Sequence, residues 1–283
     1  MVITIQSTGE MQAWALTVKR QGRSIALVPT MGYLHEGHLS LIDIARTCAD
    51  QVVVSIFVNP AQFGPNEDFD RYPRDIERDS ALCAERGVDV VFFPPTREMY
   101  LQDHSVYVIE EKLGGGLCGA ARPGHFRGVT TVVAKLFNVI LPDAAVFGEK
   151  DAQQLRIIRR MVRDLNFPVS IVSAPTAREA DGLAMSSRNI RLTPEDRKRA
   201  PLLFAALNSA AKAFYDGERK ANRLLAMAEE RIRAASPTKI DYVELVDDES
   251  LEPITGTIDR DALLALAVWL SDTRLIDNIS LKV

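Results

Sequence analysis

The alternation of short β-branched runs with helical stretches constrains this chain more than any other feature. Residues 24–29 (SIALVP), 51–57 (QVVVSIF) and 88–92 (VDVVF) read as strands, with helical patterns over 38–49 and 74–86 between them. Strands separated by helices of about a dozen residues form βαβ units, whose parallel sheet is covered on both faces. The pattern resumes with a helix over 128–141, a strand over 145–147, a helix over 151–165 and a strand over 168–173. It predicts a doubly wound, Rossmann-like α/β domain over residues 1–176. Ser7 and Glu10, at capping-box spacing, predict an opening helix that runs to about Arg20.

The pattern changes after Pro175. Thr193, Pro194, Glu195 and Asp196 read as an N-cap, a proline at N1 and an acidic first turn, starting a helix through Phe214. A second helical pattern covers 219–235, and strand-like runs follow at 240–246 and 262–269. Residues 177–283 are therefore expected to form a second, smaller α+β domain, acting as a lid.

Composition excludes several classes. The chain has 283 residues, 47% of them hydrophobic and 25% charged, as in a globular protein rather than a disordered one. Before Ala177 there are 18 basic and 20 acidic residues, and from it onward 16 and 18, so neither part offers a broad phosphate-tracking surface for nucleic acid. No apolar run reaches the ~20 residues of a membrane span, and the first residues do not read as a signal peptide. Cys48, Cys83 and Cys118 form no C-x-x-C clip; Cys48 and Cys83 read as small hydrophobes, and none of the three is assigned chemistry. A cytoplasmic enzyme is expected, with no nucleic-acid or membrane partner.

The chemistry is concentrated in residues 29–41, PTMGYLHEGHLSL, between the first long strand and its crossover helix. In open α/β sheets this carboxyl edge binds ligands. His35 and His38 can face one side above a free helix N-terminus, while Gly32 and Gly37 let backbone approach a nucleotide. Such an arrangement suits a polyphosphate, whose oxygens gain charge in the transition state. An H-x-x-H pair could also be half of a metal site, but no third ligand stands at suitable spacing. Further polar segments fall where ligand loops should: 58–63 (VNPAQF), 122–128 (RPGHFRG, with two guanidiniums), 147–151 (FGEKD) and 181–189 (DGLAMSSRN).

The H-x-G-H signature resembles the nucleotidyltransferase superfamily, to which class I aminoacyl-tRNA synthetases are related. Taken with SIFVNPAQFGPNEDFDRYPR, RPGHFRGV, FGEKDAQQL and DGLAMSSRN, in order over most of the first 190 residues, it closely resembles the pantoate:β-alanine ligase family. The chain departs from that pattern at Ala152 and Arg191, where an aromatic is more usual.

The resemblance implies an ATP-dependent ligase of pantothenate biosynthesis that condenses pantoate with β-alanine through a pantoyl adenylate, releasing AMP and pyrophosphate. It implies catalytic roles for His35, His38, Lys150, Ser186, Ser187 and Arg188. ATP would lie along Met31, Gly32, Tyr33, Leu34, His35, Glu36, Gly37 and His38, along Gly148, Glu149, Lys150 and Asp151, and along Ala177, Met185, Ser186, Ser187 and Arg188. Pantoate would be held by Gln62 and Gln154 as donors, with Met31 and Phe63 as walls, and β-alanine by Gln62. Asn59 and Arg122 are secondary candidates. Mg2+ is expected to arrive with ATP; its protein ligands are unassigned, and Asp75 and Asp79 are weak candidates. A homodimer is the expected assembly, and residues 176–189 the expected hinge. Another H-x-G-H adenylyltransferase and a non-catalytic nucleotide sensor are the alternatives.

Overall fold

A computed structural model describes residues 2–65 and 67–283. The chain runs β1 (Ile3–Ile5), α1 (Thr8–Arg20), β2 (Ile25–Thr30), α2 (Glu36–Cys48), β3 (Gln51–Ile56), α3 (Ile76–Glu85), β4 (Val90–Phe92), α4 (Thr96–Met99), α5 (Leu117–Ala121), α6 (His125–Ile140), β5 (Ala144–Gly148), α7 (Ala152–Asp164) and β6 (Ser170–Ala174). There follow α8 (Pro194–Arg199), α9 (Pro201–Tyr215), α10 (Ala221–Ala234), β7 (Lys239–Asp247), β8 (Ala262–Leu270) and β9 (Thr273–Leu281). Short 3-10 turns occupy Pro60–Gln62, Glu149–Asp151 and Ser187–Arg191.

The first six strands form one parallel sheet in the order β1-β4-β3-β2-β5-β6. From β2 the chain winds one way through β3 and β4, and from β5 the other way to β6. The switch point therefore lies between β2 and β5. The first four residues of β2, Ile25, Ala26, Leu27 and Val28, are each 0% exposed, which is why they read as a continuous apolar run. The last three strands make a separate antiparallel sheet, β7-β8-β9. Its core face packs Leu264, Leu266 and Val268 with Leu207 and Phe214 of α9 and Leu224 of α10. The expected α/β class with a smaller α+β part is the architecture found.

Several elements differ from the sequence expectation. β1 is too short to carry a period and is held by pairing Ile3, Thr4 and Ile5 with β4. The helix expected over 193–214 is two, α8 and α9, because Pro201 has no N–H to continue the ladder and starts α9 at N1. α6 begins at His125, three residues early, after Gly124 in the left-handed region. β9 was not expected at all, since Asp277 and Asn278 interrupt its apolar alternation.

The chain forms two compact units: residues 1–114, 122–149 and 154–175 make the first, and residues 115–121, 150–153 and 176–283 the second. The expectation divided the chain once, at 176/177. The two short excursions are tied to the second unit and to each other by side-chain bonds: Asn278 Nδ2 donates to the Lys150 carbonyl at 2.9 Å, and Gln153 Oε1 accepts from Cys118 N–H at 2.9 Å.

Candidate active site

In the first unit the site starts where β2 ends. Thr30 Oγ1 donates to the Ser55 carbonyl and accepts from Gly32 N–H, so the chain turns sharply off the sheet. Gly32 has φ +83°, and a Cβ there would come within 2.9 Å of Ile56 Cγ2, so only glycine fits. Tyr33 follows at φ +51°. The two N–H groups after this bend converge on the buried carboxylate of Asp79 in α3, from Tyr33 at 2.6 Å and from Leu34 at 2.8 Å. Arg78 donates to the Leu34 carbonyl at 2.9 Å and covers the Tyr33 ring. Burial pushes the Asp79 carboxyl above the ordinary aspartate range, against the two N–H bonds that favour its charge.

The donors of the bend are already taken. Leu34 is 0% exposed and its N–H is occupied by Asp79, so it offers a nucleotide no donor; the same holds for the Tyr33 N–H. Asp79 clamps the loop, and Asp75 caps α3 by accepting from Arg78 N–H at 3.1 Å.

His35 and His38 form a reciprocal cap on α2. His35 Nδ1 accepts from Gly37 N–H at 3.1 Å, and His38 Nδ1 accepts from His35 N–H at 3.3 Å. Their rings lie 4.0 Å apart, centroid to centroid. The helix N-terminus is thus partly occupied by the histidines themselves rather than free as expected. Because both Nδ1 atoms accept from backbone, each neutral imidazole carries its hydrogen on Nε2, the donor form that an anionic oxygen requires. Glu36, beside them, is exposed and paired with Arg86.

The Gln62 shelf lies in the same unit. Gln62 Oε1 accepts from Asn59 Nδ2 at 3.1 Å, and Gln62 Nε2 rests 3.1 Å from Met31 Sδ. A thioether is a weak acceptor, so a hydroxyl can replace it at that amide. Asn59 is 1% exposed; it also donates to the Gly128 carbonyl and accepts from Ala61 N–H and the Tyr100 hydroxyl. These bonds make it part of the shelf's frame. Gly128 lets α6 meet the turn at Pro60–Gln62, since a Cβ would stand 2.3 Å from the Ala61 carbonyl oxygen. Phe63 packs edge-on against Phe69 and Tyr72. Gln154 is half-buried in the first turn of α7.

The two guanidiniums of residues 122–128 are engaged structurally. Arg122 forks onto Glu67 at 2.7 and 2.5 Å and meets His125 Nε2 at 3.1 Å, while Arg127 covers the Tyr107 ring. Burial would raise the Glu67 carboxyl, but the Arg122 bonds win and hold it below the usual range.

The cationic group belongs to the second unit. β5 ends at Gly148, and after Glu149 the chain crosses into that unit at Lys150 and Asp151. Burial pushes the Lys150 ammonium below the ordinary lysine value; Asp151 and Asp277 oppose the shift and Arg188 adds to it. Within residues 176–189 the chain forms a turn in which Arg178 bridges Ala184 and Met185 N–H donates to the Ala177 carbonyl at 2.9 Å. Ser186 then caps the 3-10 turn through Arg188 N–H, with Ser187 buried behind it. Asn189 Nδ2 ties this turn to Glu179 and the Ala184 carbonyl, and Arg197 clamps Glu179 and Asp181.

Residues 3–280 match the model of the pantoate–β-alanine ligase family. The chain belongs to that family. It is 55% identical to the pantothenate synthetase of Heliobacterium modesticaldum over 99% of both chains. The solved pantothenate synthetase of Thermus thermophilus superposes with a TM-score of 0.93, at 45% identity, covering both chains completely. A pantoate–β-alanine ligase of Francisella tularensis, solved with a β,γ-ATP compound and β-alanine, has a TM-score of 0.82 at 32% identity, over 99% of this chain and 97% of that one. The protein is accordingly an enzyme that joins pantoate to β-alanine.

For a ligase of this family, the residues that sequence reasoning missed are those that brace the named ones. Asp79, weighed from the sequence only as a metal ligand, lies in an ordinary amphipathic helix and gives no local signal of its bonds to the bend. Asp277 and Asn278 do give one, two polar residues inside LIDNISL, but it reads as the absence of a strand. Among the described residues no group of three or more His, Cys, Asp or Glu could hold a metal ion, and no helix is long and apolar enough to cross a membrane. Cys83 and Cys118 are buried, and burial raises the Cys83 thiol to about 12. Cys118 does more than fill space: its Sγ lies 3.1 Å from the Tyr242 hydroxyl and 3.7 Å from the Arg274 guanidinium.

Proposed function

We propose that the ligation runs in two half-reactions on the residues named above. A pantoate carboxylate oxygen attacks the α-phosphorus of ATP and pyrophosphate leaves. The β-alanine amine then attacks the acyl carbon of pantoyl adenylate, the acyl–oxygen bond breaks, and AMP departs. The observation that carries this reading is the reciprocal histidine cap: two Nε2–H donors held on one helix end suit phosphate oxygens that gain charge.

His38 and His35 stabilise the transferring phosphate in this reading, and Lys150, Ser186, Ser187 and Arg188 the β and γ phosphates. The nucleotide runs along Met31, Gly32 and the 35–38 turn, along Gly148 to Asp151, and beside Ala177 and Met185. Gln62 and Gln154 donate to the pantoate hydroxyls, Met31 and Phe63 form apolar walls, and Gln62 borders β-alanine. Mg2+ enters with the triphosphate, whose charge it offsets, and is held chiefly by phosphate oxygens.

The assembly we infer is a homodimer in the cytoplasm. Leu101, Val106, Tyr107 and Ile109 of the first unit are exposed, an apolar segment of the kind that a symmetric contact covers. Light scattering should give twice the chain mass, and Val106→Glu should halve it.

Pantoate labelled with 18O in its carboxylate tests the chemistry directly. One label per turnover should be found in the AMP phosphate, with AMP and pantothenate formed in equal amounts. Unlabelled AMP would exclude an acyl adenylate.

A further inference from the structure

β9 carries two adjacent polar residues that the reaction does not use directly. Asp277, 5% exposed, takes Arg178 in a two-pronged contact at 2.7 and 2.9 Å. Arg178 also donates to the Gly182 carbonyl and lies 3.7 Å over the Phe204 ring, so its position is fully determined. It opens the turn that ends at Met185, immediately before Ser186, Ser187 and Arg188. Asn278 donates from Nδ2 to the Lys150 carbonyl at 2.9 Å. Successive strand residues point to opposite faces, so one strand reaches two segments far apart in sequence, one from each face.

We propose that Asp277 and Asn278 are positioning residues that hold the Ser186–Arg188 turn and Lys150 in one frame, fixing the spacing of the two cationic groups. The proposal rests on the assignment of Lys150 and Arg188 to the β and γ phosphates. A buried charge pair of this geometry is rigid because leaving either partner alone is costly. Misplacing a phosphate contact by about 1 Å can cost on the order of 100-fold in rate. Such a support therefore matters to the first half-reaction, in which pyrophosphate leaves, and not to the second.

Single-turnover rates of both half-reactions test it, the second with pre-formed pantoyl adenylate. Asn278→Ala should slow adenylate formation about 10-fold and leave the second step within about twofold. In a Lys150→Ala background Asn278→Ala should slow it no further, because it acts through Lys150. Asp277→Asn should behave likewise against Arg188→Ala. A cost that persists undiminished in those backgrounds, or that falls equally on both half-reactions, would mean a structural role and overturn the proposal. If Lys150→Ala and Arg188→Ala themselves leave adenylate formation intact, the phosphate assignment fails and the proposal with it. If they slow it and the β9 variants do not, only the proposal fails.

Discussion

Asp79 accepts the N–H of Tyr33 at 2.6 Å, across 46 positions of sequence, and so fixes the bend that delivers His35 to the start of α2. Its other oxygen takes the N–H of Leu34, so one carboxylate satisfies both donors of the bend. Asp79→Asn keeps the shape but has only one acceptor oxygen. It should leave a buried N–H without a partner and cost about 1–3 kcal/mol of stability, read as a lower denaturant midpoint at constant m-value. An unchanged midpoint would show that the bend holds itself.

His38→Ala should lower the rate of adenylate formation by at least about 100-fold while ATP affinity changes much less, because the contact strengthens as charge develops. Rapid-quench turnover alongside equilibrium ATP binding would separate the two. Weaker ATP binding with unchanged turnover would give His38 a ground-state role.

Gln62→Ala removes the amide that faces Met31 Sδ, and should raise the pantoate KM by roughly 5- to 150-fold, the equivalent of about 1–3 kcal/mol. The ATP KM should hardly move. Steady-state kinetics with each substrate varied would decide, and a change confined to ATP would remove Gln62 from the pantoate pocket.

The lowered pKa of Lys150 has a defined sign. Its ammonium is present below the folded pKa and lost as pH rises through it, sooner than for an ordinary lysine. Adenylate formation should therefore decline on the alkaline side, and Lys150→Arg, whose guanidinium does not deprotonate, should shift that decline to higher pH even if its plateau is lower. An alkaline limb that stays where it was belongs to another group.

Much of this was legible in the sequence because it is local. β2, β3 and β5 are continuous apolar runs, α8 announces itself by Thr193 and Pro194, and the glycines and histidines of residues 31–38 stand at spacings that only a tight turn into a helix explains. The candidate ligand residues likewise sit in strings that a single segment can carry. What escaped depends on partners distant along the chain. β1 exists because β4 lies beside it, and β9 because β8 does, despite a polar pair that breaks its period. Nothing in the local sequence of Asn59 or Arg122 announces the bonds they make to the Gly128 carbonyl and to Glu67.

The sequence by itself determined the class of the fold, the alternation of β2 to β6 with their helices, and the chemistry available at the carboxyl edge of the sheet, since periodicity, capping and turn preferences act over a few residues. Only the tertiary structure decided which polar groups remain available. A backbone N–H, a carbonyl or a guanidinium binds a substrate or a neighbour, and the neighbour that engages it, Asp79 for the Leu34 N–H, Asp277 for the Arg178 guanidinium, Asn278 for the Lys150 carbonyl, comes from a segment that meets it only once the chain has folded.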